Sequence, residues 1–204
     1  MNRLALCGVI AGPLFVLTFL INGTVVAGYS PLRHPVSSLQ LASWVQSANF
    51  IVAGALVVAF AVGTRLGFWG SLFIGMVGLG LVGSGIFTTD PVSGYPPGSP
   101  TVSEYTWHGL VHDLFAIPTF VGWPIACFVL ARRFRPWYSI ASGVAFTVMF
   151  VLTNAAFAQT PGLVEFGGLF QRLTIIIGFT WLTLLALHLT PAGALRRGNA
   201  GQPA

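Results

Sequence analysis

Apart from nine arginines, four histidines and four carboxylates carry most of the ionisable chemistry in this chain of 204 residues. His108 and His112 stand four positions apart. On a helix that spacing puts both imidazoles on one face, within reach of one metal ion or one substrate group. Glu104 extends that face by a turn if the helix begins early, and Asp113 adjoins it. Asp90 closes the segment GIFTTDP, and His34 precedes Ser37 and Ser38 in RHPVSSLQ. If the loops fold back over the helix ends, His34, His108 and His112 become candidate zinc ligands. Asp90, Ser37 and Ser38 are then the candidate catalytic groups, with Asp90 holding a ligand or the attacking water. The same residues fit a hydrogen-bonded cluster that organises the loops, or a proton-responsive or ligand-binding site. The metalloprotease form HExxH is absent, because position 109 is glycine, so the spacing alone leaves these alternatives open.

The elements that must position these groups are membrane spans. Hydrophobic residues make up 55% of the chain and charged residues 6%, against about 25% charged in a soluble domain. So few charges cannot cover a globular surface, and a bilayer removes the need. Six apolar segments, at about 4–28, 45–64, 67–88, 107–131, 137–157 and 168–189, are each long enough to cross. Lipid offers the backbone no hydrogen bonds, so each must be helical. The expectation is an all-α, polytopic six-helix bundle over residues 1–190, with a short basic and disordered tail at 191–204. The first segment follows Met1-Asn2-Arg3 but exceeds the roughly 7–15 apolar residues of a signal peptide, so it is read as a span.

The arginines orient the bundle. With both termini inside, Arg3, Arg65, Arg132, Arg133, Arg135, Arg196 and Arg197 are cytoplasmic, and only Arg33 and Arg172 lie outside, as the positive-inside rule requires. All four acids, Asp90, Glu104, Asp113 and Glu165, then fall outside, as do His34, His108 and His112. Trp44, Trp69, Trp107 and Trp137 fall at span ends, where an aromatic belt is expected, while Trp123 and Trp181 are mid-span. The arginines form no patch interleaved with polar residues, which argues against nucleic acid. Cys7 and Cys127 lie near cytoplasmic helix ends, where a disulfide is not expected.

Small residues should mediate helix packing. The stripe Gly63, Gly67, Ser71 and Gly75, continued by Gly80 and Ser84, and the pair Gly8 and Gly12 are the candidates. Pro118 and Pro124 each remove a backbone donor from the fourth span. The loop Thr89–Thr106, with GYPPGSP, is too rich in proline and glycine for a helix and could lid an outward cavity. Ser30–Trp44 alternates apolar and polar residues and suits the interface. Arg172 is placed to pair with Asp90, Asp113 or Glu165, or to hold a lipid phosphate. No charge stands clearly at mid-span, which argues against a pump built on a buried carboxylate relay.

Three short motifs carry a resemblance: HPVSSLQL before the second span, GIFTTDP ending the third, and T-x-H-G-x-x-H at Thr106, His108, Gly109 and His112. They resemble the family catalogued as domain of unknown function 998, prokaryotic six-span membrane proteins, over about residues 1–190. The resemblance implies the six-helix count and a prokaryotic inner-membrane location, and no activity. The candidate site is also similar in composition to that of the membrane hydrolases that include alkaline ceramidases, which place a Ser, an Asp and three His around zinc. Order, spacing and span number all differ.

The leading expectation is a membrane protein with an outward-facing His/Asp pocket that binds a lipid or small hydrophobic molecule, lined also by Glu104, Asp113 and Arg172. The alternatives are a metal-dependent hydrolase and a haem protein with axial histidines, its haem non-covalent because no CxxCH is present. No cofactor-binding residue is assigned. Partners are membrane lipids, and a homo-oligomer is compatible with the reading.

Overall fold

The computed structural model describes residues 3–190, and all six expected spans are helices. They are α1 (Ala5–Val25), α2 (Trp44–Gly63), α3 (Phe68–Ile86), α4 (Trp107–Leu130), α5 (Pro136–Phe157) and α6 (Gly167–Leu189). Each is long and apolar enough to cross a bilayer, with mean hydropathy between 1.6 and 2.1. Arg196, Arg197 and the tail at 191–204 lie outside the described residues.

Local chemistry sets the helix ends. Ser43 caps α2 by accepting from the Val45 amide at 3.2 Å, and Thr106 caps α4 by accepting from the Gly109 amide at 3.2 Å. Pro136 opens α5, where its missing amide proton costs nothing. α4 continues through Pro118 and Pro124.

Each helix packs on its sequence neighbours, and α1 packs on α6, so the six form a closed ring. Aromatic side chains fill the middle. Phe15 stacks on Phe179 at 4.9 Å and meets Phe50 at 5.2 Å, and Trp123 meets Phe179 edge-on at 5.3 Å. Trp123 and Trp181 are buried, and Trp181 donates to the Ser139 hydroxyl at 3.0 Å. Trp44, Trp69, Trp107 and Trp137 are exposed at helix ends. One end of the ring carries Arg65, Arg132, Arg133 and Arg135. The other carries the loops at 26–43, 87–106 and 158–166, and is called the loop end below.

The small-residue stripe serves close packing in part: Gly63 is pressed against Leu4 and Gly80 against α4, whereas Gly75 and Gly67 are not packing glycines. A side chain on Gly75 would meet only the Ala61 methyl, at 4.0 Å. Gly67 is needed instead for its backbone, at φ +79° ahead of α3. The tight contacts come from Gly54 and Gly78. A Cβ on either would lie 2.6–2.8 Å from the other's carbonyl oxygen. Gly80 is pressed against Thr119 and Phe115 of α4 in the same way. Gly8 and Gly12 do serve close packing, against Phe60 and α6.

Candidate functional site

The first loop docks on the bundle. Its Val36–Leu41 segment forms a 3-10 helix with Val36, Ser38 and Leu39 at most 1% exposed. It is sewn into the bundle by Gln40, which donates to the Ser84 carbonyl at 2.9 Å and the Ser47 hydroxyl at 3.1 Å. The Val36 amide donates to Gln171 Oε1 at 2.7 Å. The amides of Gly168 and Leu169, which open α6 without intrahelical partners, donate to Arg33 and Leu32 carbonyls at 3.1 and 2.8 Å.

Arg172 is the clasp of this loop. The expectation that it pairs with Asp90, Asp113 or Glu165 is not met. Its guanidinium is buried and donates to the carbonyls of Pro31 (2.6 Å), His34 (3.1 Å) and Gly168 (3.0 Å), and to the Tyr29 hydroxyl. It also lies over the rings of Phe19 and Tyr29, at 5.8 and 5.4 Å. Glu165 pairs with Arg33 instead, at 3.2 Å, the one ion pair among the described residues. A buried guanidinium needs its donors satisfied, and the loop carbonyls reach it where no carboxylate does.

His34 belongs to the same clasp. Its Nδ1 accepts from the Ser30 amide at 2.9 Å, which requires an unprotonated Nδ1. Burial holds its pKa below the usual histidine value, and the charges of Arg33 and Arg172 push the same way. Its ring packs on Tyr29 and Tyr95, at 5.5 and 5.1 Å. Tyr95, from GYPPGSP, is buried between them and ties the 87–106 loop to the first loop. Burial raises the pKa of Tyr29 and Tyr95 alike.

Asp90 lies at the loop end, in the segment that follows α3. Its carboxylate accepts from the Thr106 amide at 2.8 Å and the Thr106 hydroxyl at 2.6 Å, at the positive end of α4. A Cβ on Gly109 would collide with that carboxylate. The motif T-x-H-G therefore has a packing reason: threonine caps, and glycine makes room for the aspartate. Since the Thr106 proton goes to Asp90, the contact of 2.8 Å between Thr106 Oγ1 and His108 Nδ1 is donated by the histidine.

His108 and His112 part company. His108 is exposed beside Trp107, drawn back to the cap. His112 is buried, edge-on to Phe50, with Nδ1 2.8 Å from the Phe87 carbonyl. A carbonyl only accepts, so Nδ1 donates, and in neutral imidazole Nε2 is left as an acceptor. His34, His108 and His112 thus sit in three different settings. Among the described residues no group of three or more His, Cys, Asp or Glu side chains could hold a metal ion. Neither Ser37 nor Ser38 hydrogen-bonds a histidine, and Ser38 is wholly buried.

What these elements enclose is a cavity of about 500 Å³ at the loop end. Phe50, Leu81, Ile117, Phe120, Phe150 and Ile175 give it an apolar floor and walls. Asp90, His112, Asp113, Ser37, Ser103 and Asn154 give it a polar rim. His34, His108, Glu104 and Arg172 do not line it. Asp113, Ile117 and Asn154 are exposed as well as lining, so the cavity opens sideways between α4 and α5. Within the ring, these two consecutive helices share the sparsest contact. Gln171 and the aromatic pair Phe120 and Phe150 were missed by sequence reasoning, because no local pattern separates a cavity-lining apolar residue from a lipid-facing one.

A model of the family described as "Protein of unknown function (DUF998)" matches residues 9–188. No curated protein and no solved structure matches the chain.

Proposed function

We propose that this chain, which belongs to the DUF998 family, is a multi-pass protein of the prokaryotic inner membrane that binds a lipid or small hydrophobic molecule with a polar head. The observation that carries this reading is the cavity of about 500 Å³, apolar within and polar at its rim, with a side opening between two membrane-crossing helices. A site of that volume suits a small ligand. A lateral opening lets an apolar molecule arrive from the bilayer without passing through water. The arginines gathered at the opposite end support a rim on the outer side, by the positive-inside rule. In intact cells, an impermeant maleimide would then label Ser103→Cys in a background free of Cys7 and Cys127. Protection of that cysteine until the cells are lysed would reverse the orientation.

The test of binding is mass spectrometry of molecules carried through purification in mild detergent, beside an Ala116→Trp variant that fills the cavity. The expected result is a defined amphipathic species that accompanies the parent and is depleted in the variant while its helical signal persists. Equal retention by both proteins would mean that the species coats the outside of the bundle, and the reading would fail.

A further inference from the structure

We infer that the polar head accepted by this cavity is cationic, an alkyl ammonium rather than a phosphate or other anion. The inference rests on the cavity being a binding site, as proposed above, and follows from an account of donors and acceptors in its wall.

The wall's donors are largely spent on the protein itself. Ser84 donates to the His112 carbonyl at 3.3 Å, Thr153 to the Met149 carbonyl at 2.8 Å, and Thr119 to Val77 or Phe115 at 3.4 Å. Asn154 Nδ2 donates to the Phe150 carbonyl at 2.7 Å, which leaves its Oδ1 as an acceptor. The remaining donors, on Ser37, Ser103, Tyr105 and Gln171, are all neutral groups.

The acceptors are charged. Asp90 and Asp113 both line the wall. Asp113 makes no ion pair or hydrogen bond among the described residues, and its electrostatic neighbours are His112 and Asp90, so its carboxylate oxygens are open to an occupant. No arginine lines the cavity. The nearest in sequence to a lining residue is Arg172, beside Gln171, and its donors are committed to the first loop and to Gly168. An anionic head would therefore meet two carboxylates and, as the one basic group, the His112 imidazole, whose Nδ1 proton already goes to the Phe87 carbonyl. An ammonium would meet the Asp113 carboxylate, the Asn154 carbonyl oxygen and aromatic faces at Phe120 and Phe150, which also attract cations.

The experiment uses the full chain in phosphatidylcholine nanodiscs and three probes with one tail: dodecylammonium, dodecanol and dodecyl phosphate. Binding is read by titration calorimetry against empty nanodiscs. The expected result is that dodecylammonium binds at least about tenfold more tightly than the alcohol, as a charge-assisted hydrogen bond predicts, with the phosphate weakest. Asp113→Asn should erase that preference, so that dodecylammonium binds no more tightly than dodecanol measured on the same variant.

If the alcohol or phosphate binds as well as the ammonium, and Ala116→Trp weakens every probe, the cationic assignment is overturned while the cavity remains a binding site. If the ammonium preference survives in Asp113→Asn, it belongs to the surface and the assignment again falls. If no probe binds the parent above the empty disc, the binding reading itself falls with it.

Discussion

The seam between α2, α3 and α4 and the seam between α4 and α5 use opposite means to join helices. In the first, glycines bring backbones together: Gly54 to Gly78 across α2 and α3, and Gly80 and Gly83 to Phe115 and Thr119 across α3 and α4. In the second, Phe120 and Phe150 stack at 4.7 Å and fill the space between the helices. Nearer the arginine end, Gly143 lets α5 close on Phe128 and Cys127. Towards the loop end no glycine does this, and the cavity lies there. Lipid supplies no hydrophobic force between helices, so close contact depends on small residues. Where they stop, volume remains. The bundle is thus tight on one side of α4 and open on the other, and His112 and Asp113 stand at that boundary.

The sharpest way to break this contrast is Gly80→Leu. The new side chain has to displace the α4 backbone at Phe115 and Thr119, and the expected loss is about 4 kcal/mol or more, enough to abolish folding. Fluorescence-detected size exclusion should show aggregated or absent protein. A monodisperse variant would mean that the α3–α4 seam is looser than its glycines imply.

A smaller effect is expected at the boundary itself. Gly109→Ala drives the Asp90 carboxylate away from Thr106 and weakens the cap of α4, for a loss of about 1–3 kcal/mol, less the modest helix gain of alanine. Thermal unfolding in detergent should detect it, and Asp90→Asn should lose part of the same stability. Unchanged unfolding in Gly109→Ala would sever the link between glycine and aspartate.

The weakest lever is acid, which acts on the first-loop clasp beside the cavity. His34 has a depressed pKa in the folded protein, so the unfolded chain binds its proton first. Stability is fully present above the ordinary histidine pKa of about 6.5 and is lost as pH falls through and below it. Unfolding midpoints should therefore drop on acidification, and His34→Asn, which keeps an acceptor for the Ser30 amide without a titrating ring, should flatten the drop. An equally steep drop in that variant would move the effect to another group.

The amino-acid sequence by itself determined the six helices, and with them the membrane-crossing character of the chain. Runs of apolar residues are local and additive, and a bilayer leaves the backbone no alternative to a helix. The sequence also marked part of the rim, because His112, Asp113 and Asp90 are rare polar groups at span ends, but it marked His34, His108, Glu104 and Arg172 with them, and these do not line the cavity. It could not say which of them meet. His108 and His112 share a helical spacing, yet the Thr106 cap draws one outward while the Phe87 carbonyl holds the other inside. Arg172 looked like a partner for an acid, and the first loop's carbonyls claimed it. A pocket was expected from its polar groups, but its apolar lining was not legible, because Phe120 and Phe150 would face lipid if α4 and α5 were rotated. Those outcomes depend on helix rotation and loop docking, which are settled by contacts between residues more than a hundred positions apart, such as Val36 with Gln171. Only the tertiary structure brings such residues together.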